Sequence, residues 1–287
     1  MTLNEARTVL TKEFSTIYDK EELKNIIDLI LEYITNMPRS SQVKSKLTYL
    51  TCTQLETIDS ITERLKNNEP VQYVLGEAWF AGMKFRVNKN VLIPRPETEE
   101  LVDWVVKEIE KLKLKIENLQ ILDVGTGSGC IPVTLKKKLP AAVISAIDVC
   151  SEALFVATEN AIEHNIDVDF ILLDFLNEEK WEELGQFDII VSNPPYVKQN
   201  ETQTMHERIV NYEPHKALFV PDNDALLFYR KLSDFSLKHL TPGGRLFVEI
   251  NEALGEMVAN LFRSAGFVDV ELKKDMQGKD RMVMASH

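Results

Sequence analysis

Apolar residues in the first part of the chain, residues 1–69, recur at the spacing of amphipathic helices. One predicted helix face comprises Leu23, Ile26, Ile27, Ile30, Leu31 and Ile34, and a second comprises Leu55, Ile58, Ile61 and Leu65. The first of these helices should end at Met37-Pro38, because the residue before a proline avoids helical geometry. Helices of this length are marginal in isolation. The pattern therefore predicts a small all-helical domain over residues 1–69.

The pattern changes to short apolar runs over residues 70–90. Trp79-Phe80 and Met83–Val87 flank the pair Ala81-Gly82, which is typical of a β-hairpin. We expect this hairpin to link the helical domain to a third region, residues 91–287.

The third region opens with Leu-Ile-Pro-Arg-Pro-Glu-Thr-Glu at residues 92–99. Pro96 fits the first turn of a helix, and Glu97 and Glu99 suit the positive end of that helix. Arg95 either anchors this helix in the fold or contacts a substrate.

From residue 119 onward, strand and helix patterns alternate. Strands are predicted at Gln120–Val124, Val143–Ile147, Phe170–Leu173, Phe187–Ser192 and Arg245–Ile250. Helices are predicted near Ile131–Lys138, Glu152–His164, Ala225–His239 and Gly255–Ala265, and a terminal hairpin at Val268–Leu272 and Arg281–Ala285. The alternation predicts an α/β fold with a doubly wound, mostly parallel seven-stranded sheet of the Rossmann-like type. Residues 197–222 show no periodicity, so we expect a long functional or mobile connection there.

Composition and charge narrow the class of protein. The 287 residues are 44% hydrophobic and carry a net charge of −12. No apolar run reaches the roughly 18 residues of a membrane helix, and Met1–Asp19 lacks a secretory signal. Phosphate attracts basic surfaces, so we expect no stable binding to nucleic acid and no membrane association. Three widely spaced cysteines and five histidines show no metal or disulfide spacing, which favours a cytoplasmic protein without a metal site.

The run Asn193-Pro194-Pro195-Tyr196 is the most specific chemical signal in the chain. It follows the predicted strand Phe187–Ser192, and two prolines in succession end a strand and stiffen the backbone. Ligands of open α/β sheets bind at the carboxyl ends of the strands. An Asn amide, a proline carbonyl and a Tyr ring fixed there suit a planar –NH2 group. The alternative is an ordinary Pro-Pro turn.

A glycine-rich turn, Asp123 to Gly129, follows the first predicted strand of the sheet. Its spacing is G-x-G-x-G, which disfavours the G-x-G-x-x-G turn of dehydrogenases. Two further acids, Asp148 and Asp174, end the next two strands. Asp148 suits the hydroxyls of a ribose, and Asp174-Phe175 suit the amino group and ring of an adenine. Taken singly, each acid fits the capping of a turn or a helix equally well.

Residues 92–99, 123–129 and 193–196 together resemble the motifs of the HemK-type protein-(glutamine-N5) methyltransferases, and among them the enzymes that modify peptide chain release factors. The resemblance covers nearly the whole chain. Residues 92–99 separate it best from related amide and amine methylases, including the sibling that modifies a ribosomal protein. The resemblance implies a class I methyltransferase fold with S-adenosylmethionine as cofactor. It also implies that the helical domain recognises the substrate, or else shields the catalytic domain.

The resemblance assigns roles to individual positions. The implied cofactor-binding residues are Gly125, Thr126, Gly127, Ser128, Gly129, Asp148, Phe175 and Asn193. The implied substrate-binding residues are Asn193, Pro194, Pro195 and Tyr196, of which Asn193, Pro194 and Tyr196 are catalytic. Phe175 stands where the family often has Trp. The implied substrate is the glutamine of the Gly-Gly-Gln motif in class 1 release factors. We expect the enzyme itself to be a monomer.

The chemistry of a carboxamide agrees with these roles. An amide nitrogen delocalises its lone pair and is a poor nucleophile, so it must be held and aimed. If the Asn193 oxygen accepts one N–H and the Pro194 carbonyl accepts the other, transfer depends mainly on proximity and orientation. No general base is required, because the cationic product loses a proton readily.

Two other functions fit parts of the sequence. A nucleic-acid base methylase, acting on adenine N6 or guanine N2, also holds a flat –NH2 group with an Asn-Pro-Pro-aromatic loop. The charge of −12 argues against it. A non-catalytic regulator that binds the cofactor is disfavoured by the intact Asn193–Tyr196 run. Glu249 and Asn251 are interpreted as plain strand termini, and Met276–Arg281 as the turn of the terminal hairpin.

Overall fold

The computed structural model describes residues 1–114 and 116–287, with residue 204 described by its backbone only. The described residues divide into two compact units. The first comprises Met1–Gly76 and Glu207–Tyr212, and the second comprises Glu77–His206 and Glu213–His287. The predicted linker, residues 70–90, contributes to both units.

The elements are numbered here in chain order. The helices are α1 (Leu3–Phe14), α2 (Lys20–Thr35), α3 (Arg39–Lys44), α4 (Cys52–Lys66), α5 (Val71–Leu75), α6 (Pro96–Lys111), α7 (Cys130–Lys138), α8 (Ser151–Glu163), α9 (Glu207–Tyr212), α10 (His215–Leu218), α11 (Leu227–His239) and α12 (Gly255–Ala265). The strands are β1 (Glu77–Phe80), β2 (Met83–Arg86), β3 (Gln120–Val124), β4 (Val143–Asp148), β5 (Asp169–Leu172), β6 (Phe187–Ser192), β7 (Val197–Lys198), β8 (Phe219–Val220), β9 (Leu240–Glu249), β10 (Val268–Lys274) and β11 (Asp280–Ser286). Glu178–Glu183 and Gln199–Thr204 form 3-10 helices.

The first unit is helical because its sequence supplies both caps and apolar faces. Thr2 and Thr51 each form a capping box at the start of α1 and α4, and Asp19 caps α2. The predicted faces of α2 and α4 pack into one core with α1 and α5. Asn36, in the left-handed conformation, ends α2 just before Met37-Pro38. The predicted helical character of residues 1–69 is confirmed.

Residues 197–222, for which the sequence showed no periodic element, contain several short ones. The segment contains β7, β8, α9, α10 and a 3-10 helix. Helix α9 belongs to the first unit, where the Arg208 guanidinium lies 4.1 Å from the Tyr18 ring centroid and bonds Glu22 at 3.0 Å. Elements of two to six residues are too short to produce a periodic pattern, so the sequence could not reveal them.

The second unit begins with the predicted hairpin of β1 and β2. Ala81 and Gly82 both have positive φ, as the tight turn of a two-residue hairpin requires. A seven-stranded sheet follows, in the order β10-β11-β9-β6-β3-β4-β5. Strands β9, β6, β3, β4 and β5 are parallel, and β11 runs antiparallel to both of its neighbours. The predicted doubly wound, mostly parallel sheet with an edge hairpin is confirmed.

Side chains on the two faces of the sheet enter two separate cores. Ile121 of β3 and Ile189 of β6 pack on the face covered by α6 and α7. Their neighbours Leu122 and Ile190 pack on the face covered by α11 and α12. Both faces are covered by helices, which explains the continuous apolar runs of the central strands.

Strand β9 begins five residues earlier than predicted. Residues 241–244, Thr-Pro-Gly-Gly, suggest a turn, and the prediction therefore began the strand at Arg245. In the structure Leu240 pairs with Phe187, and a register shift separates this pair from the regular ladder beginning at Arg245. A β-bulge accommodates the proline and glycines within the strand.

The strand order fixes the position of a crevice. The chain leaves β3 toward β4 and β5 on one side, then returns to place β6 and β9 on the other side. Strands β3 and β6 are therefore neighbours at the switch point of the sheet, where open α/β sheets bind ligands. The glycine-rich turn follows β3 and the Asn193–Tyr196 run follows β6, so both lie at this point.

Candidate active site

The glycine-rich turn is held against the end of β4. The backbone N–H groups of Gly125 and Thr126 both donate to the Ile147 carbonyl, at 2.9 and 3.0 Å. Gly125 and Gly127 have φ of +78° and +53°, and a Cβ built on either would meet no atom within 4 Å. The exposed side of the turn therefore has room for a ligand to approach the backbone.

Gly129 has a packing role at the start of α7. Its φ is +77°, and a Cβ there would lie 2.9 Å from the Ala157 Cβ on α8. Asn160, also on α8 and fully buried, donates to the Ser128 carbonyl at 2.9 Å and accepts from the Arg86 N–H at 2.6 Å. Helix α8 thus fixes the turn to the end of the β1–β2 hairpin.

Asp148 connects the turn to the end of β4. One carboxylate oxygen accepts from the Gly127 N–H at 2.8 Å, and the other from the Cys150 N–H at 2.9 Å. Burial raises the pKa of Asp148, and the backbone hydrogen bonds oppose that shift. The side chain therefore organises the local backbone, and its contact with a ribose stays a prediction.

Asp123 is a fully buried carboxyl directly under the turn. Among the described residues, neither of its oxygens has a hydrogen-bond partner. Burial raises the pKa of Asp123 to about 7; the nearby Thr126 hydroxyl opposes this shift in part, and the negative charge of Asp148 adds to it. The hydroxyls of Thr126 and Ser128 are likewise buried without a partner in the described part of the chain. Unsatisfied polar atoms cluster here, as expected beneath a polar ligand.

Phe175 and Asp174 follow β5. Phe175 is only 6% exposed, with its ring stacked on Trp181 at 5.5 Å and edge-on to Phe235 at 5.4 Å. Asp174 accepts from the Leu176 N–H at 3.0 Å, which is the turn-capping role weighed for it. Phe175 lies mainly in the core, and its stacking on an adenine stays a prediction.

The Asn193–Tyr196 run turns away from the sheet at the end of β6. Pro194 is buried, whereas Asn193, Pro195 and Tyr196 are partly exposed. The Asn193 amide nitrogen donates to the Thr98 hydroxyl at 3.1 Å, and the Tyr196 hydroxyl donates to Glu249 at 3.1 Å. Burial raises the pKa of Tyr196, and the charge of Glu249 adds to the shift. Tyr196 therefore remains protonated as a donor.

Glu249 joins these residues to the segment at 92–99. Its second oxygen accepts from the Thr98 hydroxyl at 2.6 Å. The carboxylate is 2% exposed, and burial raises the pKa of Glu249 while the hydrogen bonds from Thr98 and Tyr196 lower it. The interpretation of Glu249 as a plain strand terminus is wrong, because its side chain points into the site.

Arg95 adopts the first of its two predicted roles in the structure. Its guanidinium pairs with the buried carboxylate of Glu213, whose other oxygen accepts from the Ile93 N–H at 3.3 Å. Arg95 therefore anchors the segment that begins α6. The acids Glu97 and Glu99 occupy the first turn of that helix, and Pro96 its first position, as predicted.

Curated proteins are similar in sequence to this chain over nearly its full length. A release factor glutamine methyltransferase from Flavobacterium psychrophilum is 44% identical over 99% of this chain and 98% of its own. The chain belongs to the release factor glutamine methyltransferase family. A second member, from Bacteroides thetaiotaomicron, is 38% identical over 99% of this chain and 100% of its own.

Two family models agree with this membership, and a solved structure shares the fold. Residues 5–76 match the PrmC N-terminal domain, and residues 106–218 match the methyltransferase small domain. The hMettl16 catalytic domain, solved with the MAT2A 3′UTR hairpin 6, superposes with a TM-score of 0.56. It is 15% identical and covers 90% of this chain and 92% of its own, so it supports the fold alone. The second unit has the class I methyltransferase fold.

Sequence reasoning missed four side chains that organise this methyltransferase site: Thr98, Asn160, Glu213 and Glu249. Thr98 lies within a motif that was recognised, and Glu249 is an acid at a strand end like Asp148, so both had a signal. Asn160 lies in helix α8 and Glu213 in an irregular segment, and no local sequence pattern marks either residue as part of a site. Among the described residues, no group of three or more His, Cys, Asp or Glu side chains is arranged to hold a metal ion.

Proposed function

We propose that this chain methylates the side-chain amide nitrogen (N5) of the glutamine in the Gly-Gly-Gln motif of class 1 peptide chain release factors, and so supports translation termination. Membership of the family over 99% of the chain carries this conclusion. The position of the Asn193–Tyr196 run beside the glycine-rich turn, at the switch point of the sheet, supports the chemistry.

The turn after β3 fits S-adenosylmethionine. The residues that would hold it are Gly125 to Gly129 and Asp148, with Phe175 beside the adenine and Asn193 bordering the site. The glycines leave space for close approach, and the unpartnered Thr126 and Ser128 hydroxyls add polar groups. When bound, S-adenosylmethionine supplies a methyl group activated by a positively charged sulfur.

The Asn193–Tyr196 run binds and orients the glutamine amide in this proposal. The Asn193 oxygen and the Pro194 carbonyl accept the two N–H groups, and the Tyr196 ring packs on the amide plane. The two prolines keep these acceptors fixed before the substrate arrives. Orientation of this kind can supply roughly 7–11 kcal/mol of the barrier reduction. The methylated nitrogen is cationic and releases a proton to water, so no general base is assigned.

The proposal also covers the roles of the domains, the oligomeric state and the location of the enzyme. The helical unit, taken over residues 1–69, recognises the release factor, and residues 70–90 serve as a linker to the catalytic region, residues 91–287. We propose a monomer that acts in the cytoplasm without stable binding to nucleic acid, consistent with a net charge of −12. Among the described residues, every helix is too short or too polar to cross a lipid bilayer.

Mass spectrometry of a purified release factor tests the function. The factor is incubated with the enzyme and S-adenosylmethionine, and the Gly-Gly-Gln peptide should gain one CH2 group on the glutamine. A release factor with alanine in place of that glutamine is the matched control. Labelled methyl transfer to total RNA in parallel tests base methylation. Modification of RNA alone, or of the alanine control, would contradict the proposal.

A further inference from the structure

Thr98, Glu249, Asn193 and Tyr196 form a continuous hydrogen-bonded chain that the sequence motifs do not explain. Glu249 is a buried carboxylate with no ion pair among the described residues, and its two oxygens accept from Thr98 at 2.6 Å and Tyr196 at 3.1 Å. Burying a carboxylate without a direct ion pair costs free energy, and the positive charge of Arg281 offsets this cost only in part. A carboxylate retained in this place therefore points to a role beyond packing.

The direction of each hydrogen bond follows from Glu249, the acceptor that Thr98 and Tyr196 share. Burial raises the pKa of Glu249, but the hydrogen bonds from Thr98 and Tyr196 and the positive charge of Arg281 favour its ionised form. An ionised carboxylate only accepts, so the Thr98 hydroxyl gives its one hydrogen to Glu249. The same hydroxyl then has only lone pairs left for Asn193. It accepts from the Asn193 Nδ2, at 3.1 Å, and cannot serve the Asn193 oxygen as a donor.

The hydrogen bonds from Asn193 to Thr98 and from Thr98 to Glu249 select one of the two orientations of the Asn193 amide. The two orientations are nearly equal in shape, so the protein surroundings must choose between them. With Nδ2 turned toward Thr98, the Asn193 oxygen points away from the Thr98 hydroxyl. A glutamine –NH2 group presents two donors, and only this orientation meets it with an acceptor. The reverse orientation would oppose donors to donors.

We propose that Thr98 and Glu249 are positioning residues that lock the Asn193 amide with its oxygen toward the substrate and hold the Tyr196 hydroxyl in place. Neither residue is required to touch the reacting atoms. The inference rests on the proposed function for its kinetic consequence. The locking of the Asn193 amide is a property of the protein alone and can be measured without substrate.

Three variants separate the steps of the argument. Thr98→Val removes the hydroxyl, Thr98→Ser retains it, and Glu249→Gln replaces the carboxylate with a group that also donates. In Glu249→Gln the amide can donate to Thr98, whose hydrogen is then free to turn toward Asn193 and favour the wrong amide orientation. Thr134→Val is the control, because the Thr134 hydroxyl on α7 is buried without a partner among the described residues.

Kinetics with release factor and S-adenosylmethionine provide the first readout. We expect kcat to fall at least about tenfold in Thr98→Val and Glu249→Gln, equivalent to about 1.4 kcal/mol. KM for the release factor and the Kd of S-adenosylmethionine should stay within about twofold of wild type, because no cofactor contact changes. Thr98→Ser should restore most of kcat. A merely structural role would lower the melting temperature without this split and without rescue by serine.

Nuclear magnetic resonance of the side-chain amide provides the second readout. With 15N-labelled asparagine, the Asn193 signals are assigned by their loss in Asn193→Ala. Thr98→Val and Glu249→Gln should shift both Asn193 amide protons and speed their exchange with water, whereas Thr134→Val should leave them in place. Unmoved Asn193 signals in both variants, or an equal loss of kcat in Thr134→Val, would overturn the proposal. An inactive wild type with these shifts would refute the proposed function and leave the positioning pair standing.

Discussion

Asn193 is the residue on which the proposed chemistry most depends. Its Nδ2 is engaged by Thr98, which leaves the oxygen available to a substrate amide. Asn193→Ala removes that acceptor but leaves the glycine-rich turn and Asp148 unchanged. Loss of a positioning contact on this scale typically lowers rates by roughly a hundredfold.

We therefore expect Asn193→Ala to lose at least about a hundredfold in methyl transfer while binding S-adenosylmethionine nearly as well as wild type. Isothermal titration and single-turnover transfer to a release factor measure the two effects. Asn88→Ala is a suitable control, because the Asn88 side chain is exposed and caps a local turn at 2.9 Å. Equal loss of binding and transfer in Asn193→Ala would contradict the assignment.

Asp123 makes the stability of the protein, rather than its reaction rate, depend on pH. The pKa of Asp123 is about 7 in the folded protein, against a usual value of 3.8. Between these pH values the folded carboxyl keeps its proton while the unfolded one loses it. The contribution of Asp123 to the free energy of unfolding therefore decreases as pH rises from about 4 to 7, by an amount on the order of 2–4 kcal/mol.

Asp123→Asn removes this titration. Its free energy of unfolding, measured by urea without cofactor at pH 5 and pH 8, should decrease less with pH than that of wild type. The difference between the two proteins isolates Asp123 from the other carboxyls. Parallel curves for the two proteins would show that Asp123 does not keep its proton in the fold.

At the scale of elements, the start of α6 is fixed by a contact distant in sequence. Arg95 and the Ile93 N–H both bond the buried carboxylate of Glu213, near the start of α10. This contact holds Thr98 and the first turn of α6 at the site. Because the Arg95 side chain is a third exposed, solvent screening reduces the strength of the pair.

We expect Glu213→Gln to lower the free energy of unfolding by about 1–3 kcal/mol, because the Gln keeps one acceptor and loses the charge that pairs Arg95. The surface pair Lys180–Glu183 supplies the comparison, and Glu183→Gln should cost less than about 0.5 kcal/mol. Urea unfolding of both variants measures this. A cost for Glu213→Gln no larger than that for Glu183→Gln would show that the contact does not anchor α6.

The same elements show what the sequence could and could not predict. Periodicity predicted α2, α4 and the central strands, because one apolar face or run decides each of them. It failed at β9, where Pro242 and two glycines within a bulge mimic a turn, and over 197–222, where the elements are very short. The site motifs could be found because glycine and proline restrict or relax the backbone in characteristic ways and because the asparagine amide offers specific hydrogen bonds. Glu213 and Asn160 act through distant contacts, which no local pattern records.

At the scale of the whole molecule, the first unit carries an exposed apolar segment that its own core does not use. Val43, Leu47 and Tyr49 are 58%, 82% and 76% exposed, and Lys44 and Lys46 lie between them. These five residues, the 43–49 patch, lie at the end of α3 and in the connection from α3 to α4. Exposed apolar side chains beside cationic ones, in a chain of net charge −12, suit a partner surface that is apolar and acidic.

The 43–49 patch is therefore the surface through which we expect the helical unit to contact the release factor. Leu47→Asp should raise KM for the release factor about tenfold, since it places a charge at the centre of the contact and repels acidic groups. The Kd of S-adenosylmethionine and the melting temperature should not change, because Leu47 is almost fully exposed. Val268→Asp is the control, as Val268 is 58% exposed at the amino end of β10, away from the carboxyl ends of the parallel strands. An unchanged KM in Leu47→Asp, or the same rise in Val268→Asp, would place recognition of the release factor elsewhere on the enzyme.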